Sequence, residues 1–73
     1  MKVQDPNYQL IARRIKEKRK EMKMTQEKLA EHVDVSVKFI GLVEAGYRKA
    51  GFKSLFRIAS ALGSTLDALT LEK

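Results

Sequence analysis

The chain has 73 residues, no cysteine and one histidine, with a formal net charge of +6 at neutral pH and a pI near 9.8. That length allows one domain, burying only about 60% of the surface its unfolded form exposes, and the composition excludes disulfides, thiolate metal sites and thiol nucleophiles. No apolar run nears the roughly 18 residues of a membrane span and no signal-peptide pattern opens the chain, so a cytoplasmic protein with an anionic partner and no membrane partner is expected.

In chain order, Asp5-Pro6 reads as an N-cap followed by proline at the first helical position. The helix it opens runs to about Lys23, with Tyr8, Ile11, Ala12, Ile15 and Met22 recurring on one face. Thr25 caps a second helix with Glu27 in its first turn and Leu29, Ala30 and Val33 inward. Asp34-Val35-Ser36 is a tight connection, and Ser36 caps a third helix that carries Ile40 and Val43 and stops at Gly46. A polar loop, Tyr47 to Gly51, leads to a fourth helix with Leu55, Ile58, Ala59 and Leu62 inward, closed by Gly63. Thr65 caps a last short helix from Leu66 to about Leu71. Nothing alternates with period two for long enough to be a strand. The fold class is all-α: one five-helix domain over residues 1–73.

Charge is unevenly spread. Residues 1–23 carry eight basic and three acidic side chains, residues 24–47 two and four, and residues 48–73 five and two. Two positive blocks therefore flank a mildly acidic middle. The pattern reads either as an ordinary solvated surface or as a phosphate-binding rim around a less charged centre.

That centre, about residues 25–45, holds two short helices joined by a three-residue turn. Such a turn props the second helix on the first, so that its outer face can enter a major groove while the first lies across the backbone. Two helices of this length would equally serve in any bundle. A second feature tilts the balance. Arg19 falls on the apolar stripe of helix 1, four residues after Ile15, and Glu44 falls on that of helix 3, four after Ile40. A charge on a buried face needs a partner, because leaving it unpaired costs several kcal/mol. Arg19 and Glu44 are thus expected to form a partly buried ion pair; the alternative is that both reach outward separately.

The run MTQEKLAEHVDVSVKFIGLVEAG, followed by LFRIASALGSTLDAL, resembles the phage repressor/Cro-type helix-turn-helix family, also called XRE or lambda-repressor-like. The likeness covers about residues 10 to 70. It rests on Ile15, Arg19, Thr25-Gln26, Leu29-Ala30, Ser36, Ile40, Glu44, Gly46, Ala61-Leu62-Gly63, Asp67 and Leu69, taken in order and at these spacings. The resemblance implies a compact five-helix lambda-repressor-like domain that works as a homodimer on palindromic double-stranded DNA. It also implies pairing of the residues matching Arg19 and Glu44.

At 100° per residue with Ile40 inward, Lys38, Gly41, Leu42 and Ala45 of helix 3 point outward, and Val37 and Phe39 flank them. Lys38 is placed to donate to guanine, Val37 and Phe39 to meet thymine methyl groups, and Gly41 to permit close approach. The resemblance adds Gln26 as a backbone or base contact, and Arg48, Lys49 and Lys53 as phosphate contacts. Ser36, at a helix N-terminus, is a further phosphate candidate, with Arg13 and Arg14 on helix 1 after these. The sequence departs from the family in having a single Lys among apolar and small residues on the reading face, so hydrogen-bonded readout is sparse. It also has Ala50 where proline is frequent, which predicts a looser loop. An exposed Phe39 and Leu42 would alternatively make a protein-docking patch.

His32 has no second histidine or cysteine to build a metal site with and reads as a surface residue; no catalytic arrangement, cofactor or small-molecule ligand is expected. The basic first helix would also suit a membrane surface, but its narrow apolar stripe is better used as core. The expected function is a cytoplasmic, nucleoid-associated transcriptional regulator, a repressor, that inserts helix 3 into the major groove. Its half-sites would lie about 34 Å apart. Leu66, Leu69 and Leu71 are either the dimer interface or the core of helix 5. Alternatives are a protein-interaction module and an antitoxin or accessory subunit using the apolar face of helix 3.

Overall fold

The computed structural model describes residues 2–70, which contain five α-helices and no strand. α1 (Pro6–Glu21) opens with the Asp5 carboxylate accepting the Asn7 N–H at 2.9 Å, and with Pro6 where a missing N–H costs nothing. Its last turn sets Lys18, Arg19 and Lys20 against the negative helix end. The chain leaves through Met22 and a left-handed Lys23 at φ +56°. The helix therefore stops short of Lys23. Met22, expected on the inward stripe, is 45% exposed, because the backbone turns away at the cap before another helical turn can bring that side chain to the core.

α2 (Gln26–Val33) is capped by Thr25, whose hydroxyl accepts the Lys28 N–H at 3.0 Å, and it ends on Asp34 in the left-handed region. α3 (Val37–Glu44) is capped by Ser36, which accepts the Phe39 N–H at 3.1 Å. Gly46 follows at φ +82°, a backbone conformation that favours glycine, and a β-carbon there would displace the Gln9 amide. Gln9 Nε2 uses that space to donate to the carbonyls of Val3 and Gly46 at 2.8 and 3.1 Å. The N-terminal segment is thereby pinned to the end of α3. α4 (Phe52–Ala61) has no side-chain cap, and α5 (Leu66–Thr70) is capped by Thr65 through the Ala68 N–H at 3.1 Å.

α2 packs against α3 and α4, α1 against α3 and α5, and α4 against α5. Their apolar stripes meet in one core built on Ile15, Leu29, Ile40, Ile58, Leu62 and Leu69. The radius of gyration, 10.9 Å, matches the roughly 11 Å of a close-packed chain of this length. Among the described residues no helix is long and apolar enough to cross a membrane.

Candidate nucleic-acid interface

The turn between α2 and α3 decides what the surface offers. Asp34 reverses the chain, Ser36 ties down the first turn of α3, and Ile40 and Val43 anchor its inner face at 0% exposure. The outer face then presents Val37, Lys38 and Ala45 to solvent, with Gly41 and Leu42 half-buried between them. Phe39 is half-buried against the core, and its ring carries the Arg48 guanidinium 5.6 Å from the centroid. This corrects the docking-patch expectation. Phe39 and Leu42 are not an exposed apolar pair, because the first packs against the core and the second is half-buried. The large apolar side chains that are exposed lie elsewhere, at Tyr47, Phe52 and Phe56 among others.

Behind α3 the structure brings Arg19 and Glu44 together. Arg19 Nε donates to Glu44 Oε2 at 2.7 Å and Nη2 to Oε1 at 3.1 Å, a two-point contact in which the side chains are 10% and 2% exposed. Arg19 Nη1 donates onward to the Met24 carbonyl at 2.7 Å. Gln26 joins them, its Nε2 donating to Glu44 Oε1 at 3.1 Å. The end of α1, the start of α2 and the end of α3 thus meet at one carboxylate. Among the described residues no buried side-chain N or O lacks a hydrogen-bond partner.

Arg48, Lys49 and Lys53 are all exposed, in the loop after α3 and the first turn of α4. Lys49 lies over the Tyr8 ring at 6.0 Å. The loop is not slack at Ala50: that residue is 3% exposed and donates its N–H to the Tyr8 hydroxyl at 2.7 Å. Burial raises the Tyr8 pKa above its usual value, partly offset by that hydrogen bond. Arg13 is exposed and borders, with Lys2, Lys16 and Tyr47, a shallow groove beside Ala45. Arg14 is half-buried, and its Nη1 donates to the Leu69 carbonyl at 3.0 Å, which ties α1 to α5.

The C-terminal leucines are also redistributed. Leu69 is 2% exposed and belongs to the core, Leu66 packs partly against it, and Leu71 lies outside the described residues. Leu69 therefore has no surface to give a dimer. His32 is exposed at the end of α2, and among the described residues no group of three His, Asp or Glu side chains is placed to hold a metal ion. Sequence reasoning missed the Tyr8–Ala50 bond and the aromatic pair on α4. Phe52 and Phe56 are 74% and 58% exposed, and their one-turn spacing beside the inward Leu55 and Ala59 was the signal available.

The model of the helix-turn-helix family HTH_3 matches residues 15–69. The chain belongs to this family. It is a family of DNA-binding transcription regulators with the all-α, lambda-repressor-like fold. The N-terminal DNA-binding domain of SinR from Bacillus subtilis is similar at a TM-score of 0.82 and 26% identity, covering 89% of this chain and 96% of that domain. The restriction-modification controller protein C.AhdI from Aeromonas hydrophila gives 0.80 and 25%, covering 86% and 94%. HppE in its apo form gives 0.79 and 28%, but the 88% of this chain that it covers corresponds to only 36% of HppE. That last likeness is to a segment of a larger protein. No curated protein sequence matches the chain.

Proposed function

We propose that this helix-turn-helix chain is a sequence-specific transcriptional regulator, a repressor, that lays α3 in the major groove of double-stranded DNA. The observation that carries the reading is the outer face of α3, propped clear of the core by the α2–α3 turn. Lys38 stands on it, and Arg48, Lys49, Lys53 and Arg13 are all exposed on neighbouring segments. Phosphate contacts from those cations supply most of the affinity by releasing counterions. Lys38 donates to a guanine edge, while Val37 meets a thymine methyl group. The Ser36 amide end and Gln26 complete the approach. Residues 1–73 act as one reading unit, no chemistry is performed, and the location is the cytoplasm, on the nucleoid. Repression needs only that a bound protein occupy a promoter.

Two copies bind together, since a single small head reads too few base pairs to single out an operator. Leu69 is internal, and the two-fold contact is placed on α4, where Phe52 and Phe56 are exposed. An interface of this symmetry joins one patch to itself, so the patch must be complementary to itself. Phe52 and Phe56 project, and Phe56 borders an open groove with His32, Asp34, Arg57 and Ser60. The experiment for the whole reading is selection from a random duplex pool with sequencing of the retained DNA. An enriched palindrome with half-sites about one helical turn apart is expected; retention with no enriched sequence would overturn the specific-regulator reading.

A further inference from the structure

We infer that Gln26 is an adenine-reading residue and that the buried Glu44 is the positioning residue that holds its amide in the reading pose. This rests on the proposed docking of α3 and adds what one side chain recognises there.

Glu44 is the anchored group. Its carboxylate is fixed by Arg19 at two points, 2.7 and 3.1 Å, and Arg19 is fixed in turn by the Met24 carbonyl. A carboxylate only accepts hydrogen bonds, so the Gln26 group facing it, 3.1 Å away, is the Nε2 amino group and not the carbonyl oxygen. A free glutamine amide turns over and offers either atom to either place. This one is held by an anchored acceptor on a second helix.

The other end of the amide follows from that. Gln26 Oε1 lies over α3 at Gly41, 3.8 Å from where a β-carbon would stand, and the absence of a side chain at 41 leaves the oxygen uncovered from that direction. Gln26 is partly exposed. The free functions are therefore one acceptor, Oε1, and the second N–H of Nε2. Adenine shows the major groove a donor at N6 beside an acceptor at N7, which matches that couple. Guanine shows two acceptors, O6 and N7, and would set O6 against Oε1. Lys38, a donor only, cannot supply this discrimination.

The test uses the full chain and the duplex obtained by selection. Each adenine is replaced in turn by guanine, by purine (which lacks the amino group) and by 7-deazaadenine (which lacks N7). At one adenine per half-site, guanine should lower wild-type affinity about ten-fold or more, each analogue should lower it too, and Gln26→Ala should be indifferent to all three there and unchanged elsewhere. Glu44→Gln, which keeps the shape but can donate as well as accept, should narrow the adenine-to-guanine preference at that position without altering the dependence on salt. If Glu44→Gln does not fold, the analogue series with Gln26→Ala decides alone. Equal weakening of all sequences by Gln26→Ala, with a shallower salt dependence, would make Gln26 a phosphate contact and overturn the inference while sparing the proposed function. Failure of the wild type to bind any duplex would overturn both.

Discussion

Ala50 stands where the family resemblance favours proline, and the structure shows what that exchange entails. Unlike proline, alanine carries an N–H, and at 3% exposure that donor has no water to turn to. The Tyr8 hydroxyl, from α1, accepts it at 2.7 Å. Tyr8→Phe should therefore strand a buried donor and cost about 1–3 kcal/mol in chemical unfolding. In an Ala50→Pro background, where there is no donor to strand, the same change should cost clearly less. The pH dependence follows from the raised pKa of Tyr8, caused first by burial. A tyrosine that resists ionisation in the folded state contributes stability that is complete below its ordinary value near 10 and is lost as pH rises through the higher folded value. Unfolding free energies measured across that range should fall more steeply for the wild type than for Tyr8→Phe. None of this was legible in the sequence. Tyr8 sits on the apolar stripe and reads as core, and periodicity does not say which distant amide its hydroxyl will reach.

At the scale of the elements, the caps and inward stripes were legible because they are local. Asp5, Thr25, Ser36 and Thr65 each hold an amide of the helix they precede. Arg19 and Glu44 could be picked out for the same reason, as charges at positions that spacing turns inward. Glu44→Ala leaves the Arg19 guanidinium buried without its carboxylate and removes the Gln26 partner; the expected loss is about 3 kcal/mol or more, read from the unfolding midpoint. Replacing both Arg19 and Glu44 by apolar residues should cost less than Glu44→Ala alone. The turn carries its own strain. Asp34 occupies φ +63°, a region hospitable to glycine, and places a carboxylate at the negative end of α2. Asp34→Gly should thus stabilise by about 0.5–1 kcal/mol, whereas Asp34→Val should destabilise by at least about 1 kcal/mol in thermal unfolding. What failed at this scale failed at helix ends and between helices. Extending the α1 stripe past its cap misplaced Met22. The guanidinium of Arg14 was absorbed by a carbonyl of α5, 55 residues away in sequence, which no local pattern reveals.

Over the whole molecule, the family and the five-helix architecture were legible from ordered spacing, since a chain this short has few ways to bury these stripes. The assembly was not. The C-terminal leucines looked equally suited to core and interface, and only packing shows that Leu69 is internal while Phe52 and Phe56 remain outside. If α4 joins two copies, Phe56→Glu places like charges against each other across the two-fold axis. Sedimentation should then show a monomer with unchanged helix content, and its binding to a palindrome should be weaker than that of the wild type. A dimer that survives Phe56→Glu together with Phe52→Glu would locate the contact elsewhere.

A duplex held by the face of α3 and its basic surroundings is tested most directly by the slope of log affinity against log salt for a defined duplex. Wild-type binding should weaken steeply as salt rises. Arg48→Ala, Lys49→Ala and Lys53→Ala should each reduce the slope by about 1 per bound copy, and so by about 2 for two copies on a palindrome. No binding at low salt, or a slope indifferent to all three loop and α4 cations, would contradict the account.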